Sequence, residues 1–367
     1  MRKCILITSV GSLVGQNILD SLQDRRINID LIGTNSIVAA ANNYRCDKCY
    51  LVSEAVDEAL YIKELMKIIE SEKPDVIIPG RDDDIVILSK MKELMSEYHD
   101  SFLVGSEKFA RIMDDKVQSY HFSNKNGLPF SPTIESGLPH SKKLAEELIE
   151  KFSFPLIAKP SKGNGSRGMW FIVNQKQVDK IIKEPGFAIQ PFFGQSEKID
   201  FDTSFGLPFI WEIPEKSLYA AQVLIGRNGE IGPSIGFVST MVGGKCERMD
   251  KCDDPLLLEI ANSFATYAME EGWRGPFNIQ LKKDIDHGYQ VIEMNGRFSG
   301  GTSARYYLGF DEVSWLINNW VEEKVVPETS VPQGINLVTK ILSDFGIKQS
   351  NMDILNQNRV WEKTFKN

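Results

Sequence analysis

Two stretches near residue 280 read as the strands of one hairpin: Gly275-Pro276-Phe277-Asn278-Ile279-Gln280-Leu281 and Tyr289-Gln290-Val291-Ile292-Glu293-Met294-Asn295, with Asp284 to Gly288 as the turn. Pairing Asp284 with Tyr289 sets Gln280 opposite Glu293 and Asn278 opposite Asn295. Side chains alternate along a strand, so these four polar groups share one face while Ile279, Leu281, Ile292 and Met294 share the other. A carboxylate beside amide oxygens suits Mg²⁺, a hard cation that takes one or two carboxylates and leaves positions for substrate phosphates. Arg297, two residues beyond Asn295, points the same way and can neutralise charge on a phosphoryl group in transfer. By itself the hairpin also reads as a solvated sheet face.

A second stretch supplies the opposite charge. Pro155 to Lys159 reads as a strand and Met169 to Val173 as its partner, joined by Pro160-Ser161-Lys162-Gly163-Asn164-Gly165-Ser166-Arg167-Gly168. A link between two strands is not a Walker A loop, but its backbone amides can form a concave anion nest. Lys159 at the strand end adds a point charge for bound phosphates. Alone, the loop reads as a surface hairpin; together the two stretches read as the halves of a nucleotide site.

Both halves need a frame, and the first hundred residues provide one. Apolar runs at Lys3 to Thr8, Ile29 to Gly33, Cys49 to Val52, Val76 to Pro79 and Phe102 to Val104 have strand character. Helical patterns occupy Val14 to Leu22, Asp57 to Ile69 and Ile85 to Met95. The alternation predicts a parallel sheet covered on both faces, with ligands at the carboxyl ends of its strands. Gly11 and Gly15 lie in the first strand-to-helix turn, which reads either as an anion approach or as a tight turn without a ligand. In Arg81-Asp82-Asp83-Asp84 the acids suit a helix N-terminus, and Arg81 is a candidate for a substrate anion. Beyond Arg111, Asp114-Asp115-Lys116 opens a helix ending near Gly127, and Ser141 to Phe152 forms another.

In order and spacing these stretches resemble the ATP-grasp superfamily, in the branch near the synthetase halves of carbamoyl-phosphate synthase. The resemblance is carried by Asp115-Lys116 with Gly127-Leu128-Pro129, by Phe154 to Pro160 with its glycine loop, by Ile189-Gln190-Pro191-Phe192-Phe193-Gly194, and above all by Val291 to Gly301. It extends to about residue 325. It implies an α/β and α+β architecture: a doubly wound parallel-sheet (pre-ATP-grasp) domain over 1–110, a lid subdomain over 111–190, an antiparallel metal-binding subdomain over 191–325 and an extension over 326–367.

The resemblance also implies ATP and Mg²⁺, with two ions and Mn²⁺ as an alternative. Lys116 and Lys159 would contact the ATP phosphates beneath a lid made of Gly163, Gly165, Ser166, Arg167 and Gly168. The hinge after Gln190 would offer backbone groups of Phe192 and Phe193 to adenine, and an acid among Glu197, Asp200 and Asp202 would hold the ribose. Gln280, Glu293 and Asn295 would hold the metal, with Glu293 bridging the ions, and Arg297 would contact the γ-phosphate and an acyl-phosphate. Several positions depart from the pattern. Gln190 stands for a common Glu, the acids after it are offset, Gln280 stands for an acid as in the carbamoyl-phosphate synthase branch, and Gly296 replaces a usual Pro.

The implied reaction is that of an ADP-forming ligase, in which a carboxylate takes the γ-phosphoryl group and an amine then displaces phosphate. No protein nucleophile is needed, because positioning and electrostatics carry phosphoryl transfer. A single synthetase unit without a glutaminase-like segment argues against carbamoyl-phosphate synthesis itself. Two other readings remain. One is activation of a carbamate or carboxylate with release of the acyl-phosphate; the other is nucleotide binding without ligase chemistry, against which the complete Lys159, Glu293, Asn295 and Arg297 set argues.

Composition narrows the partners. The chain has 367 residues with 42 Lys and Arg against 50 Asp and Glu, a formal net charge of −8. Polyanionic surfaces select the opposite sign, so neither nucleic acid nor anionic membrane is an expected partner. The longest apolar runs fall far below the roughly 18 residues that cross a bilayer. Five cysteines, an odd number, do not make a disulfide framework, which suits a reducing cytoplasm. Cys46-x-x-Cys49 lacks a matching second pair for zinc, and the four histidines share no pattern. Expected partners are a small carboxylate and an amine, with Arg81, Arg227, Arg248 and Arg305 as candidates for gripping the acid. Gly243-Gly244-Lys245 with Arg248 reads as substrate loop or solvated loop, and the mixed-charge tail as a solvated extension or a contact in a homodimer.

Overall fold

A computed structural model describes residues 2–163, 168–194, 217–242, 245–327, 334–341 and 343–363. The N-terminal part runs β1 (Lys3–Ile7), α1 (Leu13–Leu22), β2 (Ile29–Asn35), β3 (Lys48–Leu51), α2 (Glu58–Glu72), β4 (Val76–Ile78) and α3 (Asp82–Leu94). Next come α4 (Glu107–Asp114), α5 (Lys116–Lys125), β5 (Ile134–Glu135), α6 (Ser141–Phe152), β6 (Leu156–Pro160), β7 (Trp170–Ile172), α7 (Gln175–Ile181) and β8 (Phe187–Pro191). The remainder comprises β9 (Ser217–Ile225), β10 (Ile231–Val242), β11 (Lys245–Lys251), α8 (Pro255–Glu270), β12 (Gly275–Asp284) and β13 (Gly288–Asn295). It ends with α9 (Thr302–Tyr307), α10 (Glu312–Val321), β14 (Leu337–Thr339), α11 (Gln349–Asn358) and β15 (Val360–Glu362).

The first sheet has the order β15-β3-β2-β1-β4. Strand β1 pairs in parallel with both β2 and β4, so the winding reverses between β1 and β4. That reversal opens a crevice beyond their carboxyl ends, where open α/β sheets bind ligands. Both loops there start helices. Ser12 caps α1, its Oγ accepting from Gly15 N at 2.9 Å, and a Cβ on Gly15 would lie 2.2 Å from the Val10 carbonyl oxygen. The glycine lets α1 sit hard on the end of β1, which favours the tight-turn reading of Gly11 and Gly15. Asp84, fully buried in α3, accepts from Thr8 Oγ1 at 2.8 Å and from Tyr61 Oη at 2.9 Å, fixing α3 to β1 and α2. The stretch predicted as a strand at Phe102 to Val104 makes only a single bridge, Ile77 to Phe102.

Two antiparallel sheets follow, β5-β8-β6-β7 and β13-β12-β9-β10-β11-β14. Alternate residues of β1 enter different cores. Leu6 packs in a cluster with Phe109, Trp273, Phe277 and Met294, whereas Ile5 and Ile7 pack with Phe298, Leu316 and Trp320. The first and six-stranded sheets are therefore joined by shared cores on both faces of β1. The four-stranded sheet has a separate core, built from residues such as Leu148, Leu156 and Ile189.

Three organisational expectations change. A boundary at residue 110 falls inside α4, and one at 190 falls inside β8. The tail is not a solvated extension: β14 pairs with β11 and β15 with β3, and Trp361 is buried edge-on against Tyr44 with ring centroids 5.2 Å apart. The strand expected at Asn336 to Leu342 is present as β14, and the mixed charge masked only the short edge strand β15. Among the described residues no helix is long and apolar enough to cross a membrane.

Candidate active site

The hairpin has the expected register where it matters, with Asn278 opposite Asn295 and Gln280 opposite Glu293. At its tip the register differs. Asp284 pairs with Gly288 rather than Tyr289, and a bulge between Gln280 and Leu281 takes up the offset, leaving Ile292 without a partner and Leu281 opposite Val291. Val291, not Ile292, is therefore the side chain fully buried with Leu281 and Met294. The bulged Ile292 carbonyl is used elsewhere, accepting from Lys159 Nζ at 3.3 Å. Asn278 also departs from expectation, because its Nδ2 donates sideways to Ala221 O and Gln222 Oε1, both at 3.0 Å.

Gln280, Glu293 and Asn295 remain as one carboxylate and two amides on one face. Glu293 faces Gln280 across the ladder, and Asn295 lies two residues further along the same face. This all-oxygen donor set fits a small divalent cation whose remaining positions are filled by phosphates and water.

Two lysines converge on that face. Asp115 caps α5 by accepting from Val117 N at 2.9 Å, and Lys116 N donates to Ser161 O at 2.9 Å. These bonds tie the start of α5 to the end of β6. Lys116 Nζ donates to Gly163 O at 2.8 Å and lies 3.9 Å from Glu293 Oε1. Lys159, on β6 and 5% exposed, is pushed down to about 8 by burial; Lys116 acts in the same direction and Glu293 opposes it. A buried ammonium without a full counter-charge is a strong attractor for anionic phosphate.

Arg297 is not free to point along the metal face. Its Nε and Nη2 grip Asp82 at 2.6 and 2.9 Å, and Nη1 donates to Phe298 O at 3.0 Å. Asp82 opens α3 at the winding reversal, so this ion pair clamps the loop after β13 to the N-terminal sheet. Asp82, with Asp114, Lys116, Gly163, Glu293 and Asn295, lines a cavity between the two sheets. Asp82 was legible only as a helix-start acid; nothing in local spacing signals a partner 215 residues away.

The other arginines separate. Arg81 stands at the start of α3, 3.5 Å from Asp83 with a buried Nε that lacks a partner. Arg305 is fully buried against Glu312 at 2.5 Å and lies over the Phe237 ring at 5.1 Å, so it is a core ion pair rather than a substrate grip. Arg248 is paired with Asp250 two residues along an exposed strand at 2.7 Å. Arg227 bonds Asp100 and Trp320 O, each at 2.9 Å, and lines a different cavity.

On the expected adenine side, Gln190 is 1% exposed, donating to Thr133 Oγ1 at 2.9 Å while its Oε1 has no partner among the described residues. Phe192 N is already used by Pro155 O at 3.2 Å. Phe193 is buried, its ring edge-on to Phe152 at 5.6 Å. Gly163 and Gly168 have φ of +122° and +70°, backbone that favours glycine. Gly165, Ser166, Arg167, Glu197, Asp200, Asp202, Gly243 and Gly244 lie outside the described residues.

Comparison with known proteins agrees with this frame. Residues 5–99 match the family model "PylC-like, N-terminal domain". The chain is 23% identical over 223 residues to the carbamoyl phosphate synthase large chain of Methanosarcina barkeri, covering 55% of this chain and 20% of that protein. It is likewise 23% identical over 201 residues to pyruvate carboxylase of Staphylococcus aureus, covering 53% of this chain and 17% of that protein. The chain thus spans about a fifth of the length of these curated relatives. Among solved structures, N5-carboxyaminoimidazole synthetase from Staphylococcus aureus with ADP aligns at TM-score 0.65 and 15% identity, over 88% of this chain and 79% of that one. The biotin carboxylase domain of Hydrogenobacter thermophilus 2-oxoglutarate carboxylase, with MgADP, ADP and bicarbonate, aligns at TM-score 0.64 and 16% identity, over 88% and 70%. The fold is the ATP-grasp fold that the motifs resemble.

Proposed function

We propose that the chain is an ADP-forming ligase that activates a small carboxylate with MgATP and joins it to an amine. The observation that supports this reading is the meeting of Lys116, Glu293 and Asn295 with Asp82, the partner of Arg297, on one cavity beside the winding reversal of the first sheet, with Gln280 facing Glu293 across the ladder and Lys159 bonded to the Ile292 carbonyl. Lys116 and Lys159 bind and orient the phosphates. Gln280, Glu293 and Asn295 hold Mg²⁺, which when bound draws negative charge from the phosphate oxygens. Glu293 is the residue that bridges if two ions are held, and Mn²⁺ suits the same oxygens. Arg297 stabilises charge on the transferring phosphoryl group and the acyl-phosphate. The unpartnered Gln190 Oε1 is an acceptor suited to the adenine amino group, with the Phe193 backbone as the hinge contact. Gly163, Gly165, Ser166, Arg167 and Gly168 cover the phosphates, and Glu197 or Asp200 takes the ribose.

Arg81 is the arginine left to grip the acid, since Arg227, Arg248 and Arg305 are held elsewhere. Five free cysteines suit a reducing cytoplasm. The test is ADP release against pools of carboxylates and amines, with mass detection of the product. Bicarbonate belongs in the acid pool, because the Hydrogenobacter relative was solved with that anion. Acid-dependent ADP release without need of an amine supports the acyl-phosphate-releasing reading instead, and no ADP from any pool overturns the ligase reading.

The depressed Lys159 gives a pH test with a definite sign. Below about pH 8 the ammonium is charged in both folded and unfolded chains. Between about 8 and its ordinary value of 10.5 the folded chain has lost a proton that the unfolded chain keeps, so this group lets stability rise with pH there. Nucleotide binding runs the other way, because the phosphates require the ammonium. MgATP affinity measured by calorimetry falls as pH rises through about 8, whereas Lys159→Arg, charged throughout, holds its affinity level. Parallel pH profiles for the two proteins would remove Lys159 from the phosphate site.

A further inference from the structure

A second cavity, of about 330 Å³, shares no lining residue with the first. Both touch α3. Asp82 and Ile85 line the first and Lys92 and Glu93 the second, so the two sit at opposite ends of one helix, about 15 Å apart at 1.5 Å per residue. Arg227, Arg274 and Trp320 continue the wall of the second.

The wall carries three cations, Lys92, Arg227 and Arg274, against two carboxylates, Glu93 and Asp100. Lys92 Nζ donates to Val104 O at 2.9 Å and has no carboxylate partner among the described residues. Arg274 Nη1 donates to Met269 O at 3.1 Å and Trp273 O at 2.6 Å, closing the end of α8, while its Nη2 has no partner among the described residues. Arg227 is the cation with counter-charges, Asp100 at 2.9 Å and Glu322 at 3.7 Å. Burial, with Arg274 and Arg227 nearby, pushes Lys92 down to about 8, against the opposing pull of Asp100 and Glu93. Trp320 is 2% exposed, and its indole Nε1 is buried without a partner among the described residues. Favourable helix-end dipoles explain why cations stand at the ends of α3 and α8. They do not explain why three gather around one cavity with donors left over.

We propose that this cavity binds a compact oxyanion, of the phosphate-ester or dicarboxylate class, held by Lys92, Arg274 and the Trp320 indole N–H. The oxygens of such a ligand accept from all three donors, and its charge offsets the two cations that lack a carboxylate. The inference does not rest on the ligase reading.

The test uses the full chain carrying Lys116→Met and Lys159→Met, which removes the active-site lysines that also attract phosphate. Inorganic phosphate and malonate are titrated separately by calorimetry at constant ionic strength, with circular dichroism to confirm folding. Saturable binding of at least one is expected, weakened about tenfold or more by adding Lys92→Met or, separately, Arg274→Gln. Phosphate binding alone assigns the phosphate-ester class, and malonate binding alone assigns the dicarboxylate class. No saturable binding of either anion, or binding that both substitutions leave unchanged, overturns the site.

Discussion

Glu293→Ala keeps the parent fold and releases ADP at least about 10³-fold more slowly. Its carboxylate is the only formal charge in the oxygen set, and neutral Gln280 and Asn295 alone are weak competitors with water for a divalent cation. The loss is in chemistry and metal retention, not in folding. The Glu293 side chain is 21% exposed, and its ion-pair partner Lys116 stands 3.9 Å away, too far for a hydrogen bond, so stability changes by less than about 1 kcal/mol. Glu293→Gln separates charge from shape, because it keeps the outline and loses the anion; it falls with the alanine variant. ADP release by a coupled assay, read beside a thermal melt, measures both. Turnover near that of the parent with an unchanged melt would place the metal on other residues.

The hairpin was the most legible part of the site because strand alternation has period two and the register propagates along the ladder. Even there, the facing pairs followed from a tip pairing one residue out, an offset that the extra residue of the bulge at Ile292 cancels. Bulges have no composition signal in this hairpin, and the displaced residue is an isoleucine that follows another β-branched residue, Val291. The parallel strands β1 to β4 were legible as apolar runs, and the lysines as charges at a strand end and a helix start. What could not be read is everything set by contact between distant segments. Arg305 and Glu312 look like surface residues of two successive helices, yet both are buried together. In the tail, a strand at Asn336 to Leu342 and a helix around Met352 to Asn356 were legible and match β14 and α11, whereas β15, three residues long, is too short for periodicity to register.

Arg297→Met and Asp82→Ala lower kcat through the same interaction, by about 10³-fold and about 10- to 100-fold respectively. Arginine carries five N–H donors. Asp82 takes one from Nε and one from Nη2, and Phe298 O takes one from Nη1, which leaves two on the terminal nitrogens for phosphoryl oxygens. Asp82, which lines the cavity, therefore acts as a positioning residue that fixes the guanidinium plane. With side chains 14% and 20% exposed, the pair is sheltered enough for its bidentate geometry to persist. Loss of Asp82 frees the arginine without removing its charge, so kcat falls while the KM for MgATP, set by Lys116 and Lys159, stays near that of the parent. Asp82→Glu preserves the carboxylate and recovers part of the loss, a rescue that a purely structural role for Asp82 would not require. The double variant Asp82→Ala, Arg297→Met is no slower than Arg297→Met alone, because the two residues act as one unit. Additive losses in that cycle, or a KM that rises with kcat unchanged, would show that Asp82 serves substrate binding rather than the orientation of Arg297.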